Sequence, residues 1–483
     1  MSDTDTSHVQ VLVVGAGPAG LVAGITLAGY GINVLVVEKR TEISTLSRAL
    51  VISTRSMEIL RSWGLDDAVR AGAADVEPCG WVTHTLASGE GTEIPLGYPT
   101  AAQAAMVSPT RPAWAPQDHL EPLLLARLRA AASAEVRFAS ELVTLDQRAD
   151  GVRALLRDRA AGRMHEVAAL FVIGADGARS AVRAQLGIGM TGPDDLAEYH
   201  SVQFRAPLGP IVAGRRYGLN VITHPEAAGV LAPRGPQDRW QYAREWRPGQ
   251  ARLVDATEAQ LAELIATAVG VPGLRPRIER VSAFSFAAQI ADRYRDRRGF
   301  LVGDAAHRMT PRGGTGMNTA IHDAYDLAWK LAWVLRGWAD PGLIATYEIE
   351  RRPVGLHNVI RSGDPNGARQ EVDEALPRDL NGRLAHRWLH RRDQTVSTLD
   401  LLGDGLTLLA GRDEPRWSKA ATTLGARARL TIHVLDDATA RGIGIQPGAA
   451  ALFRPDGRQV RHWPRFTPRL RVGYPSLLHR GSA

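Results

Sequence analysis

Val9-Gln-Val-Leu-Val-Val-Gly15-Ala-Gly17-Pro-Ala-Gly20 is the stretch that most narrows what this chain can fold into. The β-branched and aliphatic start, Val9 to Val14, has the pattern of a parallel strand buried on both faces. Gly15 permits a tight turn, Gly17 lets the backbone approach a pyrophosphate, and Gly20 lets the next helix pack closely on the strand. That helix, about Pro18 to Tyr30 with Ala19 in its first turn, aims its free amides and positive dipole end at phosphates. A second strand, Asn33 to Val37, ends in Glu38, eighteen residues beyond Gly20. A carboxylate there accepts hydrogen bonds from an adenosine ribose, and Lys39 follows it in the same cofactor-binding set. Gly187-Ile-Gly189-Met-Thr-Gly192 also fits G-x-G-x-x-G, but it follows a polar helical stretch and not a strand. It reads as a loop, so no second unit for a permanently bound nicotinamide is expected.

A second glycine-rich region lies nearly three hundred residues later: Phe300-Leu-Val-Gly303-Asp304-Ala-Ala-His307, then Pro311-Arg-Gly313-Gly314-Thr-Gly316-Met-Asn318. Gly299 to Val302 reads as a buried strand that delivers Asp304 to its C-terminal end, where ligands sit in α/β folds. Asp304 is placed to accept hydrogen bonds from a polyhydroxy chain such as ribityl. The Pro311–Gly316 loop opens onto a long amphipathic helix, about Met317 to Gly337, whose first amides are free. Aimed at the pyrimidine edge of an isoalloxazine, they stabilise the negative charge of reduced flavin. Either region alone fits NAD or FAD. Together they point to tightly bound, non-covalent FAD and an oxidoreductase.

The chain resembles the class A flavoprotein aromatic monooxygenases, the para-hydroxybenzoate hydroxylase fold. It is most similar to the branch acting on polycyclic polyketide aromatics. Besides the motifs above, the resemblance rests on Phe171-Val-Ile-Gly-Ala-Asp176-Gly177-Ala-Arg-Ser180-Ala-Val-Arg183 and on Ser397 to Leu409. It implies an α/β FAD-binding Rossmann-like domain with an antiparallel-sheet substrate domain and a thioredoxin-like C-terminal domain. The expected ranges are 1–75, 101–185 and 285–365 for FAD, 76–100 and 186–284 for substrate, and 395–483 for the tail. It also implies that Arg48 reaches the FAD pyrophosphate and Gln117 the pyrophosphate and ribityl. Asp176 lies in the motif implicated in both FAD and NAD(P)H contacts, and Asp304 holds the ribityl and pyrophosphate region. Pro311, Gly313, Gly314 and Gly316 border the ring, with the Met317 and Asn318 amides near its O2 and N1. From the residues alone, Asp176 reads equally well as a structural turn residue.

The substrate-facing stretches, Val76 to Tyr98 and Tyr199 to Trp246, contain short alternating runs separated by Pro and Gly turns, the pattern of an antiparallel sheet. Phe204, Tyr217, Trp240 and Tyr242, with Pro311, are the candidates for lining a dry cavity. Each of those aromatics also fits simple sheet packing. The tail ends in a hairpin around Asp456-Gly457, and a helix over Tyr347 to Ser362 is expected to kink at Pro353.

Bulk composition excludes several other classes. The formal charge is +7, but the arginines are interleaved with acids and only Lys39, Lys330 and Lys419 are lysines, so a nucleic-acid partner is not expected. The polar N-terminus and the lack of a long apolar run predict a cytoplasmic protein with no membrane span. A single cysteine, Cys79, excludes an intramolecular disulfide, a cysteine-based metal site and thiol redox chemistry in the tail. No metal is expected, and a homodimer contact is one role open to the tail.

The expected function is FAD-dependent, NADPH-consuming hydroxylation of a small-molecule polycyclic aromatic with O2 as co-substrate, through a flavin C4a-hydroperoxide. No catalytic base is assigned, since His307 and His322 near the flavin loop fit structural roles as well. The alternatives are a Baeyer–Villiger oxygenase on the same scaffold, or a flavin-binding protein that shields a reactive biosynthetic intermediate. A flavin-dependent halogenase is disfavoured because the Trp-x-Trp-x-Ile-Pro element is absent.

Overall fold

The computed structural model describes residues 6–45, 49–212, 214–236, 238–391, 394–412, 417 and 429–466. Its first sheet is built on Thr6–Val14, where Val11, Leu12 and Val13 are fully buried. Covered on both faces, this strand pairs in parallel with Val34–Val37 on one side and Met164–Gly174 on the other. Ala134–Arg137 extends the sheet beyond Val34–Val37, and Gly299–Leu301 extends it beyond Met164–Gly174, both in parallel. The antiparallel strands Ser140–Gln147 and Val152–Asp158 are appended through Met164–Gly174.

This strand order brings the two glycine motifs together. Only Met164–Gly174 separates the strand before Gly15 from the strand before Gly303. A Cβ on Gly303, whose φ is +60°, would lie 3.3 Å from the Cβ of Ala19. The Pro18–Gly29 and Gly316–Leu335 helices then pack against one another over this edge. Gly187–Gly192, read as a loop, follows the Ala181–Gln185 helix and contributes only the two-residue strand Met190–Thr191.

The second sheet runs in the order 277–286, 197–205, 239–246, 229–233, 217–222, 77–83, 91–95. It is mixed and not wholly antiparallel: Tyr217–Ile222 pairs in parallel with Glu77–Thr83. The physical reason is connectivity. Hairpin turns fix antiparallel neighbours, but this junction joins two separate excursions of the chain, and no turn constrains its direction. The Glu258–Val269 helix, entered through a Thr257–Gln260 capping box and closed by Gly270 at φ +80°, covers one face of the sheet.

Under that helix lies a core containing Phe204, Trp240 and Tyr242 with Leu261, Ile265 and Val269. Phe204 and Tyr242 are fully buried, and the Tyr242 hydroxyl donates to the carbonyls of Ala227 and Ala228. The expectation that these aromatics line the substrate cavity is therefore corrected. Alternation along each strand turns them to the helix-covered face, while their neighbours Gln203 and Gln241, paired across strands, turn to the other. Tyr217 is displaced as well. It stacks on Trp81 with ring centroids 4.9 Å apart and donates to Glu93 Oε1 on the sheet's outer edge. Trp240→Ala is expected to cost about 3–5 kcal/mol of stability and to leave the substrate KM of the folded enzyme unchanged. A raised KM with an unaltered melting temperature would return this ring to the cavity wall.

The tail forms a four-stranded sheet in the order 430–435, 406–411, 450–453, 459–463, with the first pair parallel and the others antiparallel. Trp329 and Trp333 of the Gly316–Leu335 helix are buried against it. The Thr346–Gly363 helix carries Pro353 in its interior without interruption of the element. Among the described residues, no helix is long and apolar enough to cross a membrane.

Candidate active site

The first βαβ turn has the shape a pyrophosphate needs. Gly15, at φ +109°, sits so close to the next strand that a Cβ would stand 2.2 Å from the Ala175 carbonyl oxygen. Gly17 is the opposite case: a Cβ there would meet nothing within 4 Å, leaving an open cradle beside the helix start. Glu38 ends the second strand and is almost fully buried. Its Oε2 accepts from the Ala16 amide at 3.0 Å and its Oε1 from the Arg40 amide at 3.1 Å, which holds the carboxylate at the mouth of the turn. Lys39 is exposed beside it, and Ala19 is buried in the helix. Arg48 lies outside the described residues.

Gln117 begins the Gln117–Arg129 helix. Its amide donates to the Ala49 carbonyl at 3.0 Å, tying this helix to the segment before Ile52. Asp176 is committed to the protein: its carboxylate accepts from the Ser180 hydroxyl and from the Ala181 and Val182 amides, capping the Ala181–Gln185 helix. Of the two sequence readings of Asp176, the geometry displays the turn-and-cap role. Asp304 is different again. It is exposed, and its carboxylate makes no hydrogen bond among the described residues.

At the ring end, Pro311 to Gly314 form a turn closed by the Gly314 amide on the Pro311 carbonyl at 3.0 Å. The Gly316–Leu335 helix follows with no side-chain cap, and the Met317 and Asn318 amides have no acceptor among the described residues. The Asn318 side chain fixes this mouth. It accepts from the Ser53 amide and the Ser56 hydroxyl, each at 2.8 Å, and donates to the carbonyls of Val51 and Gly314. Behind it, His307 Nε2 meets Asp323 Oδ2 at 2.6 Å while Arg351 Nε donates to Asp323 Oδ1 at 2.8 Å, all three groups buried. His322 Nε2 lies 3.1 Å from the Ser56 hydroxyl, and burial together with Arg351 and Arg55 pushes its pKa well below the usual value. Both imidazoles are engaged through Nε2 by protein groups.

Sequence reasoning missed the wall beside this loop. Val51, Tyr98, Trp114, Leu96 and Ile94 form a buried apolar cluster against which Leu219 and Val221 of the second sheet pack. The Tyr98 hydroxyl donates to the Gly313 and Gly314 carbonyls at 3.0 and 3.2 Å, and its ring meets Trp114 edge-on. No single stretch marks them as one surface, because they come from four separated segments: Val51, the alternating Ile94, Leu96 and Tyr98, then Trp114, then Leu219 and Val221. Also missed was Arg234, 1% exposed at the end of Gly229–Pro233. Its Nη2 reaches Asp118 Oδ2 at 3.4 Å, but its Nε and Nη1 have no partner among the described residues. A cavity of about 530 Å³ lined by Arg295, Glu348, Arg352 and Pro353 includes none of these groups.

The residues present fit FAD: an open glycine cradle, an acid at the ribose position, an unpaired Asp304 and a helix mouth with free amides. Comparisons with known proteins agree. Residues 8–362 match the family model described as an FAD binding domain, and residues 379–460 match the aromatic-ring hydroxylase C-terminal model. A putative polyketide hydroxylase of Streptomyces halstedii is 35% identical, the match covering 94% of this chain and 93% of that protein. The tetracenomycin B2 monooxygenase-dioxygenase of Streptomyces olivaceus is 34% identical over 94% and 95% of the two chains. Among solved structures, an aklavinone-11 hydroxylase in a ternary complex with FAD and aklavinone superposes with a TM-score of 0.84 at 31% identity. That match covers 97% of each chain. The flavin-dependent monooxygenase PieE, in complex with FAD and substrate, gives a TM-score of 0.86 at 28% identity over 95% and 96%. The chain thus belongs to the class A FAD-dependent aromatic-ring hydroxylases and is a flavoprotein monooxygenase of their aromatic polyketide hydroxylase branch.

Proposed function

We propose that the protein hydroxylates an electron-rich polycyclic aromatic of the polyketide type, with NADPH as reductant and O2 as the source of the oxygen atom. The observation that carries this reading is the apolar wall of Val51, Tyr98, Trp114, Leu219 and Val221 standing beside a helix mouth with free amides. Bound FAD supplies oxygen activation; the chain supplies the surroundings. The Met317 and Asn318 amides stabilise negative charge at the ring's pyrimidine edge. The wall excludes water and orients a planar substrate. Glu38, Gln117 and Asp304 hold the sugar and ribityl hydroxyls, and Arg48 the pyrophosphate. Two of the relatives are named for tetracenomycin B2 and aklavinone, which supports this substrate class. The tail's parallel-then-antiparallel strand order supports a thioredoxin-like domain after the two others.

Arg234 gives the substrate a polar anchor. Two unpaired, buried guanidinium donors favour an oxygen substituent, phenolate or carboxylate, at one end of the ring system. Arg234→Leu is expected to raise the KM for such a substrate about 10- to 100-fold, with FAD content and basal NADPH oxidation unchanged. An unaltered KM removes the anchor role. The function itself is tested by mass spectrometry of products from an aromatic-polyketide panel given NADPH and labelled O2. One labelled hydroxyl per product is expected. Label in an expanded lactone ring would indicate a Baeyer–Villiger outcome, and label in no product would end the oxygenase reading.

A further inference from the structure

Between the Glu38 turn and the Gln117–Arg129 helix, the fold buries a carboxyl group and leaves one of its two oxygens unsatisfied among the described residues. Glu121 is 1% exposed. Its Oε1 accepts from Gln117 Nε2 at 2.6 Å, while its Oε2 has no hydrogen-bond partner among the described residues. Burying an unpaired carboxyl is unfavourable, so a fold retains one where something else compensates. The groups facing it are Glu38 and Arg40 from the end of the second strand and Gln117 one turn earlier on its own helix, and the Ser44 backbone amide from the loop beyond hydrogen-bonds the carboxyl. Glu38 and Gln117 are the residues that the proposed function assigns to the sugar and ribityl hydroxyls of FAD.

We propose that Glu121 is a cofactor-positioning residue: Oε1 sets the orientation of the Gln117 amide, and Oε2 accepts a hydrogen bond from a hydroxyl of the FAD sugar–ribityl chain. The proposal rests on the FAD site and is independent of the substrate reading. An ionised carboxylate only accepts, so Gln117 turns its NH2 group towards Glu121 and leaves its carbonyl oxygen for the cleft. Gln117 then presents an acceptor to a hydroxyl in preference to a donor for phosphate. Burial raises Glu121 to about 7; Gln117 and Arg40 oppose the rise and Glu38 adds to it. A hydroxyl donor favours the ionised form. FAD binding therefore expels a proton, and affinity increases as pH rises through 7 and levels off above it.

The test is titration of flavin-stripped full-length protein with FAD at pH 6 and pH 8, followed by quenching of flavin fluorescence. The wild-type Kd is expected to be about 10-fold weaker at pH 6 than at pH 8. Glu121→Gln, similar in size but unable to ionise, should lose that pH dependence and bind about 10-fold more weakly at pH 8. Apoprotein melting temperatures are compared in parallel, and an unchanged value assigns the loss to the cofactor contact. A wild-type Kd that is equal at the two pH values overturns the proposal without recourse to any variant. So does a variant that keeps the wild-type Kd and slope. Wild-type protein that binds no FAD at either pH would remove the flavin site itself, which distinguishes the two failures.

Discussion

Glu350→Ala is expected to remove about 3–5 kcal/mol of stability, although Glu350 contacts no residue of the cofactor site. Its carboxylate is the hub joining the flavin helix to the tail. It accepts from Arg454 Nη1 and Nη2 at 2.8 Å each and from Arg458 Nη1 at 2.9 Å, and lies 3.2 Å from Lys330 Nζ. Lys330, fully buried, also meets Asp326 at 2.6 Å, and Arg454 pairs with Asp456. Asp326, Glu350 and Asp456 crowd as closely as metal ligands, but Lys330, Arg454 and Arg458 already neutralise them. Removing one carboxylate leaves a surplus positive charge out of reach of water, and a buried unpaired charge is far costlier than a lost surface pair.

Burial opposes ionisation of Glu350, yet the Arg454 hydrogen bonds and Lys330 hold its pKa well below the usual carboxylate range. A depressed folded-state pKa gives stability that is complete above the unfolded value, about 4.3, and is lost as pH falls towards the folded one. The deficit of the variant should therefore be full at pH 7.5 and shrink in acid. Urea unfolding of the FAD-bound protein at pH 7.5 and again below the unfolded carboxylate value of about 4.3 checks this. Coincident unfolding curves for variant and wild type at pH 7.5 would show the cluster to be solvated and of no consequence for stability.

The second large effect concerns two glycines two residues apart, whose substitutions should behave differently. Gly15→Ala combines a φ of +109° with a Cβ 2.2 Å from the Ala175 carbonyl oxygen. It is expected to shift the strand edge, lower the melting temperature of the apoprotein and abolish flavin retention, giving colourless protein. Gly17→Ala meets no protein atom within 4 Å. Its apoprotein should melt like the wild type, while its Cβ occupies the approach reserved for the pyrophosphate, weakening FAD about 100-fold or more. Calorimetry of the stripped proteins and FAD titration separate the two. A yellow Gly17→Ala protein of wild-type affinity would place the dinucleotide elsewhere.

Local sequence made the flavin-holding elements legible. A run such as Val9 to Val14 is apolar without alternation, so it reads as an inner strand wherever it stands. The Gly15 turn and the uncapped start of the Gly316–Leu335 helix follow from residues adjacent in the chain. The aromatics of the second sheet were misplaced for a related reason. Period-two alternation shows that Phe204 and Gln203 face opposite ways, but not which face lies under a helix. That is settled only by the Glu258–Val269 helix covering one side. Sequence alone likewise could not distinguish the capping role of Asp176 from a cofactor role, since both begin with an acid before a glycine.

What the sequence determined by itself was the cofactor class and the two pieces of backbone that hold it, because phosphate turns and helix mouths are made of neighbours. The apolar cluster around Trp114, the half-paired guanidinium of Arg234 and the buried carboxyl of Glu121 were decided by tertiary structure alone. Each depends on which distant segments exclude water from one side chain, and burial is a property of the packed chain that no short stretch of residues carries.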